Sequence, residues 1–574
     1  MGQRCPGHLG AMSHVCAPLT SLVQRFGDRV ATACGDRRRT GRQLHGRVAA
    51  LSMALRETLG VGPGVTVAIA ALSTDRFFEA MLAVAACGGV LAPLNWRWSA
   101  REAAVAVEVV EASVLVVDQE SLHFWSHLCE VCPSLRSGVV LCEGLPNGAR
   151  RGDRLHSSEE LIAAHPRAEL RIATSPDGVA IICFTSGTTS SSKAVAISHA
   201  AFHSQSLAKL AVVRYGSGDV YLHTAPLFHI GGLSSALAML MAGAVHVFMA
   251  KFSGRGAVEA IQETRVTALI AVPTMLVDMG AAAQGGSLPS VTKLLVGGGP
   301  MSAAHQDITT HLFPNATVTT AYGMTEACSS ITFDGPFEPG SWRENRTEHG
   351  ACAGVAAPGV ELCIDTDVPG TEGEVLTRGP HTMTRYLGKP AATLAVLSPD
   401  GWLRTGDVGR LDAGGRLWLS GRKKDMIKTG GENVHASEVE AVVRSHPGVV
   451  DVAVVGVADV RLGELVAAVV SIADGWSWKN SSDGGSGSGA HKLGIWIGPR
   501  EGRGPGRGPG ARSKTLSIEG VQEACVRGGL ARYKLPRVVA AWRAELPKTS
   551  SGKVKKGELR ARLGAVLRRI PSKL

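Results

Sequence analysis

Between residues 19 and 117 the chain keeps setting a short, unbroken apolar run beside a longer segment of helical period. This alternation limits the fold more than any other feature. Residues 65–72 read as a buried strand. The flanking segments 41–59 and 75–87 read as amphipathic helices, the second turning Phe78, Met81, Leu82 and Ala85 to one face. Strand runs recur at 114–118 and 139–142, followed by a variable, polar connection over 145–176. Strands joined through helices run parallel and must be covered on both faces, so the fold class is α/β. Ligands of such sheets bind beyond the carboxyl ends of the strands, so functional residues are expected just after each apolar run.

After the apolar run 179–183 comes Phe184-Thr185-Ser186-Gly187-Thr188-Thr189-Ser190-Ser191-Ser192-Lys193. Hydroxyls, exposed backbone N–H groups and a terminal ammonium suit a polyphosphate. The same composition also suits a solvated linker, and the loop is not a G-x-x-x-x-G-K-[ST] P-loop, since no glycine directly precedes Lys193. A turn comes next at Ala225-Pro226-Leu227-Phe228-His229-Ile230-Gly231-Gly232, leaving Phe228 and His229 to face whatever the turn lines. The strand 293–296 runs into Gly297, Gly298 and Gly299, where backbone could approach a flat ligand or simply turn tightly. Tyr322-Gly323-Met324-Thr325-Glu326 puts an aromatic, a hydroxyl and a carboxylate at another strand end; such a carboxylate suits Mg²⁺, or caps a helix.

From about residue 350 short strands and glycine turns predict a small β subdomain, ending in Asp407 and Arg422, which could bind sugar hydroxyls or pair with each other. Residues beyond 425 read as a separate compact domain with a helix at 437–445 and strands at 450–457 and 465–472. A Gly-, Ser-, Arg- and Pro-rich stretch over 474–513 is expected to be a flexible insert, and Lys553 falls on an exposed turn near the end.

Composition narrows the function class. The chain has 574 residues, 45% hydrophobic and 19% charged, which fits a multidomain globular enzyme and excludes general disorder. The +11 net charge comes from an excess beyond residue 497 without interleaved aromatics, so nucleic acid is not an expected partner. Such a surface suits an anionic nucleotide or coenzyme A equally well. The twelve cysteines include no zinc-ligand spacing around Cys129 and Cys132, and are expected to be reduced thiols of an intracellular protein. No transmembrane segment or signal peptide is expected. The terminal Ser572-Lys573-Leu574 is a peroxisomal address, to be read by an import receptor.

Taken in order, the segments at 185–193, 225–232, 297–300, 322–326, 404–407, 421–434 and 547–553 resemble the motifs of the adenylate-forming acyl-CoA synthetase superfamily. The resemblance covers nearly the whole chain apart from the two ends and the 474–513 insert. It implies an extension over 1–18, a large AMP-binding domain over 19–423 and a small mobile α+β lid over 424–574. It further implies ATP, Mg²⁺, coenzyme A and a small carboxylic acid as reactants.

By motif match, Thr185, Ser186, Gly187, Thr188, Thr189 and Lys193 would hold the β- and γ-phosphates. Gly297, Gly298, Gly299 and Tyr322 would border adenine. Asp407, helped by Arg422, would bind ribose. Thr325 would contact the α-phosphate and Glu326 the metal. Lys553 would bridge the reacting carboxylate and the α-phosphate, Lys424 would be the hinge, and Gly431 would lie beside the pantetheine tunnel. His229 is the candidate donor for a second acidic group on the substrate.

Ser190, Ser192, Ala194 and Ala436 stand where the superfamily usually has Gly, Pro, Gly and Pro, which leaves the loop less mobile. The stretches at 89–99, 229–241, 430–434 and 541–543 narrow the resemblance to ligases of a small aromatic acid. Ligases of cinnamates, jasmonate precursors or medium-chain acids stay open as alternatives. So does a non-catalytic nucleotide- or CoA-binding protein.

Overall fold

The computed structural model describes residues 13–145, 154–185, 193–299, 301, 303–341, 346–347, 350–368, 370–429, 432–459, 462–479, 493–496, 514–542, 545–549 and 552–567. The expected alternation produces an eight-stranded sheet. Its strands Thr66–Ala70, Val90–Pro93, Val114–Val117, Ser137–Val140 and Val179–Phe184 run parallel to one another, and the last pairs antiparallel with Ala194–Ser198 on its other edge. Val67, Ile69, Val114 and Val116 enter one hydrophobic cluster, whereas Ala68, Ala70, Leu115 and Val117 enter another. Both faces are therefore buried, which is why these strands read as unbroken apolar runs instead of alternating ones.

Helices begin where side chains can satisfy their open N–H groups. Thr40 and Gln43 form a reciprocal capping box before Gly41–Glu57, and Ser99 and Glu102 do the same before Ala100–Val110. Thr74 accepts from the Phe77 N–H at the start of Asp75–Ala86.

Within the 145–176 connection the chain forms a short strand, Leu155–Ser157, and a helix, Ser158–Ala163. The helix is held from a distance. Arg47 binds both oxygens of buried Glu79 at 2.8 and 2.9 Å and both oxygens of Glu159 at 2.8 and 2.7 Å. Local periodicity carries no sign of a clamp between groups more than a hundred residues apart.

The elements that carry the candidate site are, in chain order, β1 (Val179–Phe184), β2 (Ala194–Ser198), α1 (His199–Val213), α2 (Ile230–Ala242), β3 (Lys293–Gly297), β4 (Thr317–Met324), β5 (Ser329–Phe337), β6 (Leu403–Leu411) and β7 (Leu417–Arg422). Strands β3 to β7 belong to a fourteen-stranded sheet. β3 and β4 pair in parallel, whereas β4 and β5 pair antiparallel. Through β5 the antiparallel part continues into Gly350–Ala356 and β7. The β subdomain expected from residue 350 is thus hydrogen-bonded into the same sheet as the parallel strands.

Beyond residue 425 a six-stranded sheet is built largely on Val449–Asp459, Gly463–Ile472 and Val538–Trp542, with helices Ala436–Arg444, Ile518–Arg527 and Lys556–Leu567. Two strands fall inside the 474–513 stretch. Trp476–Trp478 pairs with Lys514–Leu516, and Leu493–Trp496 pairs in parallel with Val538–Trp542. Each carries apolar or aromatic side chains amid polar sequence, which makes sheet pairing favourable there. All described cysteines are free thiols, and among the described residues no helix is long and apolar enough to cross a membrane.

Replacing Arg47 by Met should leave buried Glu79 with only Arg39, at 2.9 Å, and lower stability by roughly 1.5–3 kcal/mol. A shift of the urea midpoint at constant slope would report it. Arg47→Lys should recover only part of the loss, because one ammonium cannot chelate two carboxylates.

Candidate active site

Two hydrogen bonds close the loop between β1 and β2: Thr185 N–H to Lys193 O at 3.0 Å and Lys193 N–H to Thr185 Oγ1 at 3.2 Å. Ser186, Gly187, Thr188 and Thr189 lie outside the described residues. The Lys193 ammonium sits 4.3 Å from the centroid of the Tyr386 ring, close enough for a cation–π attraction. Tyr386 in turn donates its hydroxyl to Glu326 Oε1 at 2.8 Å. One aromatic therefore links the lysine that ends the polar loop to the carboxylate of the 322–326 segment. Tyr386 reaches this position because Arg385–Tyr386 pairs antiparallel with β2, Tyr386 opposite Val195. Burial, then the Glu326 charge, pushes its phenol upward, so it stays a neutral donor. The sequence reading missed Tyr386, which stands in no motif and whose relevance comes only from that pairing.

The β4–β5 hairpin places the next group. Gly323 pairs with Ser330, and a Cβ at Gly323 would lie 1.5 Å from Ser329 O, so no side chain fits. Beyond the strand, Thr325–Ala327 makes a single 3₁₀ turn, and Cys328 and Ser329 take positive φ values of 48° and 105°. Glu326 is buried at this turn, and its carbonyl accepts from the Met383 N–H at 2.8 Å. Register places Gly297 opposite Ala321, so the three glycines begin beside Tyr322. Gly298 is the one of them whose φ, +81°, requires glycine.

Tyr322 donates to Asp407 Oδ2 at 2.6 Å, and Arg422 Nε lies 2.6 Å from Asp407 Oδ1. Asp407 and Arg422 are direct cross-strand partners of β6 and β7. Burial raises the Asp407 carboxyl, against the lowering effects of Arg422 and the Tyr322 hydrogen bond. Burial, then Asp407, drives the Tyr322 phenol upward, so it too remains a donor. Each Asp407 oxygen keeps acceptor capacity for a ligand hydroxyl.

His229 caps the start of α2, its Nδ1 accepting from the Gly231 N–H at 3.3 Å. The ring is open to the cleft, yet the surrounding protein, and next the positive charge of Lys553, lower its pKa to about 4. It is therefore neutral at pH 7, with Nδ1 as acceptor. Lys553 comes from the far end of the chain, on a turn closed by Lys548 pairing with Val554 and by Thr549 N–H donating to Lys553 O at 2.7 Å. Desolvation lowers its pKa, as do Arg422 and Lys424, whereas Asp407 and Glu326 raise it. Its ammonium thus stands within electrostatic reach of both carboxylates and of His229.

Most residues predicted from the sequence are brought together. Lys193 and Glu326 join through Tyr386, Tyr322 and Arg422 join through Asp407, and Lys553 lies within electrostatic range of Glu326, Asp407 and His229. Thr325 opens the 3₁₀ turn, and Lys424 lies in the turn Lys423–Asp425 directly after β7. Gly431 lies outside the described residues. A cavity of about 190 Å³ next to this group is lined by Asp407 and Arg422 on one side and by Ser437 and Lys556 on the other.

Residues 19–387 match the AMP-binding enzyme family, and residues 438–483 match the AMP-binding enzyme C-terminal domain. The chain is 40% identical over 566 residues to a protein of Arabidopsis thaliana named 2-succinylbenzoate–CoA ligase, chloroplastic/peroxisomal, with 95% of this chain and 96% of that one covered. It is 31% identical over 529 residues to an indoleacetate–CoA ligase of Aromatoleum aromaticum, with 90% and 92% covered. A solved structure of o-succinylbenzoate CoA synthetase from Bacillus subtilis, in complex with its acyl-adenylate intermediate, superposes with a TM-score of 0.74 at 25% identity, with 95% and 97% of the chains covered.

The hairpin that presents Glu326 has no room at its narrowest point. Gly323→Ala should lower stability by about 3 kcal/mol or more, measured by chemical denaturation. An unchanged midpoint would show that the hairpin can open at no cost.

Proposed function

Since the chain belongs to the family of AMP-binding enzymes, we propose that it is an ATP-dependent acid–CoA ligase whose acid is 2-succinylbenzoate. The observation that carries the chemistry is the approach of Lys553, from the C-terminal domain, to Glu326 and Asp407 of the large domain. In the first step a substrate carboxylate oxygen attacks the α-phosphorus of ATP and pyrophosphate leaves, giving acyl-AMP. Two anions must meet for this to happen, and a mobile cation placed between them lowers their repulsion most in the transition state. Lys553 is that cation. Asp407 and Arg422 hold the ribose, Tyr322 and the three glycines border adenine, and Thr325 contacts the α-phosphate. The 185–193 loop with Lys193 holds the outer phosphates.

The donor set suits Mg²⁺ carried with the nucleotide. Glu326 spends one oxygen on the Tyr386 hydroxyl and keeps acceptor capacity beyond it. Bound there, the metal would supply charge neutralisation on the phosphate oxygens, the role for which one protein carboxylate suffices. In the second step the coenzyme A thiol sulfur attacks the acyl carbon and AMP leaves. Lys424, directly after β7, is the hinge about which the C-terminal domain rotates between the steps, and Gly431 borders the tunnel for pantetheine.

The choice of acid is supported by the 40% identity to the Arabidopsis ligase and by the stretches at 89–99, 229–241, 430–434 and 541–543. The compartment is the peroxisome, addressed through Ser572-Lys573-Leu574 and its import receptor, with a further chloroplast pool. The relative's printed name, chloroplastic/peroxisomal, supports both. These last residues lie outside the described ones.

Pyrophosphate release by the purified protein with MgATP, coenzyme A and a panel of acids tests the reading. Release confined to 2-succinylbenzoate is expected. In Lys553→Ala, adenylation should fall by about 10²–10³-fold, while thioester formation from supplied acyl-AMP changes little. Release with cinnamates or fatty acids instead would keep the mechanism and discard the acid. No release with any acid would leave a non-catalytic nucleotide-binding protein.

A further inference from the structure

Helix α1 carries a lysine that the mechanism does not use. Lys209 is fully buried, and its ammonium donates to the hydroxyls of Ser234, Ser235 at 3.3 Å and Ser329 at 3.4 Å. Among the described residues none of its partners is a carboxylate. A buried ammonium without a counter-ion is costly, and a lysine kept only to join helices would be served better by an apolar side chain. The cost is visible in the group itself, since burial lowers its pKa to about 7, opposed only by the Cys328 thiol.

The location gives the cost a purpose. Ser234 and Ser235 belong to the first turns of α2, directly behind His229. Ser329 opens β5 opposite Met324, one residue before Thr325 and Glu326. The cluster thus ties the start of α2, which carries His229, to the hairpin that presents Glu326. Gln205, one turn before Lys209, fixes that relation by exchanging hydrogen bonds with the backbone of Ser330.

Of the three serines, Ser329 alone is partly exposed, and it is held at a φ of 105°, a conformation L-residues seldom keep without reason. Its oxygen accepts from the ammonium, which leaves its own proton to be donated outward.

We propose that Ser329, backed by the buried Lys209, receives the carboxylate of the acid that does not react, so that the substrate itself supplies the missing counter-ion. Ser329 touches the acid, and Lys209 is the residue that positions and charges it. His229, which the resemblance offers as the donor for that second carboxylate, is instead left to the reacting end, where the Lys553 charge acts on it. The assignment rests on the acid being a dicarboxylate, and the experiment separates the two.

Wild type, Lys209→Met and Ser329→Ala are compared with 2-succinylbenzoate and with 3-benzoylpropanoate, which lacks the ring carboxylate. For 2-succinylbenzoate, Lys209→Met should raise KM and lower kcat/KM by about 10- to 100-fold, the worth of one charge-assisted hydrogen bond. For 3-benzoylpropanoate it should leave kcat/KM unchanged or higher. Ser329→Ala should show the same selectivity at smaller size. The melting temperature of Lys209→Met without ligand should equal or exceed that of wild type.

Equal losses for both acids, no loss for either, or a lowered melting temperature with both activities reduced would each overturn the role of Lys209. Wild type that takes only 3-benzoylpropanoate would overturn the dicarboxylate reading, and with it the partner assigned to Lys209.

Discussion

Two buried carboxylates, Glu326 in the turn after β4 and Asp407 within β6, set the terms for everything around them. Asp407 is balanced by Arg422 and by the Tyr322 hydroxyl. Glu326 takes only the neutral phenol of Tyr386 as its side-chain donor among the described residues, with the Lys193 ammonium against that ring. The large domain therefore holds negative charge where it also has to admit a triphosphate and an acid. With Asp407 already paired to Arg422, a triphosphate and an acid add negative charge that calls for further cations. The C-terminal domain brings one in Lys553, and the nucleotide can bring another. In the proposed mechanism adenylation is coupled to domain position by electrostatics, the cleft being competent when the lysine is in it.

The parallel framework could be read from the sequence because burial on both faces leaves a local record. Runs such as 65–72 and 179–183 stay apolar at nearly every position, and the structure forms strands within both. Asp407, Arg422, Lys193, Glu326 and Lys553 were visible because each stands in a short motif beside glycines or hydroxyls. Tyr386 and Lys209 were not. Tyr386 matters through a two-residue pairing with a strand almost two hundred positions away, and Lys209 lies in an ordinary helical segment where a lysine usually faces water. The Arg47 clamp on Glu79 and Glu159 escaped for the same reason. Charges that meet across the fold leave no periodicity, so only coordinates reveal which are buried together.

Lys209 and Ser329 also illustrate a trade between stability and recognition. Functional sites hold groups that the folded state alone would not choose, and the surrounding packing keeps them in place. Here the packing is supplied by Gln205 on the backbone of Ser330 and by the glycine that lets β4 and β5 close on each other.

That close approach has an evolutionary side. β4 is parallel to β3 along one edge and antiparallel to β5 along the other, and it carries Tyr322 toward one partner while presenting Glu326 at its end. A shift of one residue in either ladder would turn every side chain of the strand to the opposite face. Gly323 against Ser329 O leaves no room for a side chain, at a point where the ladder already shifts register between Tyr322 and Gly323. Backbone length is thus constrained most tightly across the turn from Gly323 to Ser329. A lineage built on this hairpin can acquire a new acid by substitution, one point mutation at a time, but not by insertion or deletion in the hairpin itself.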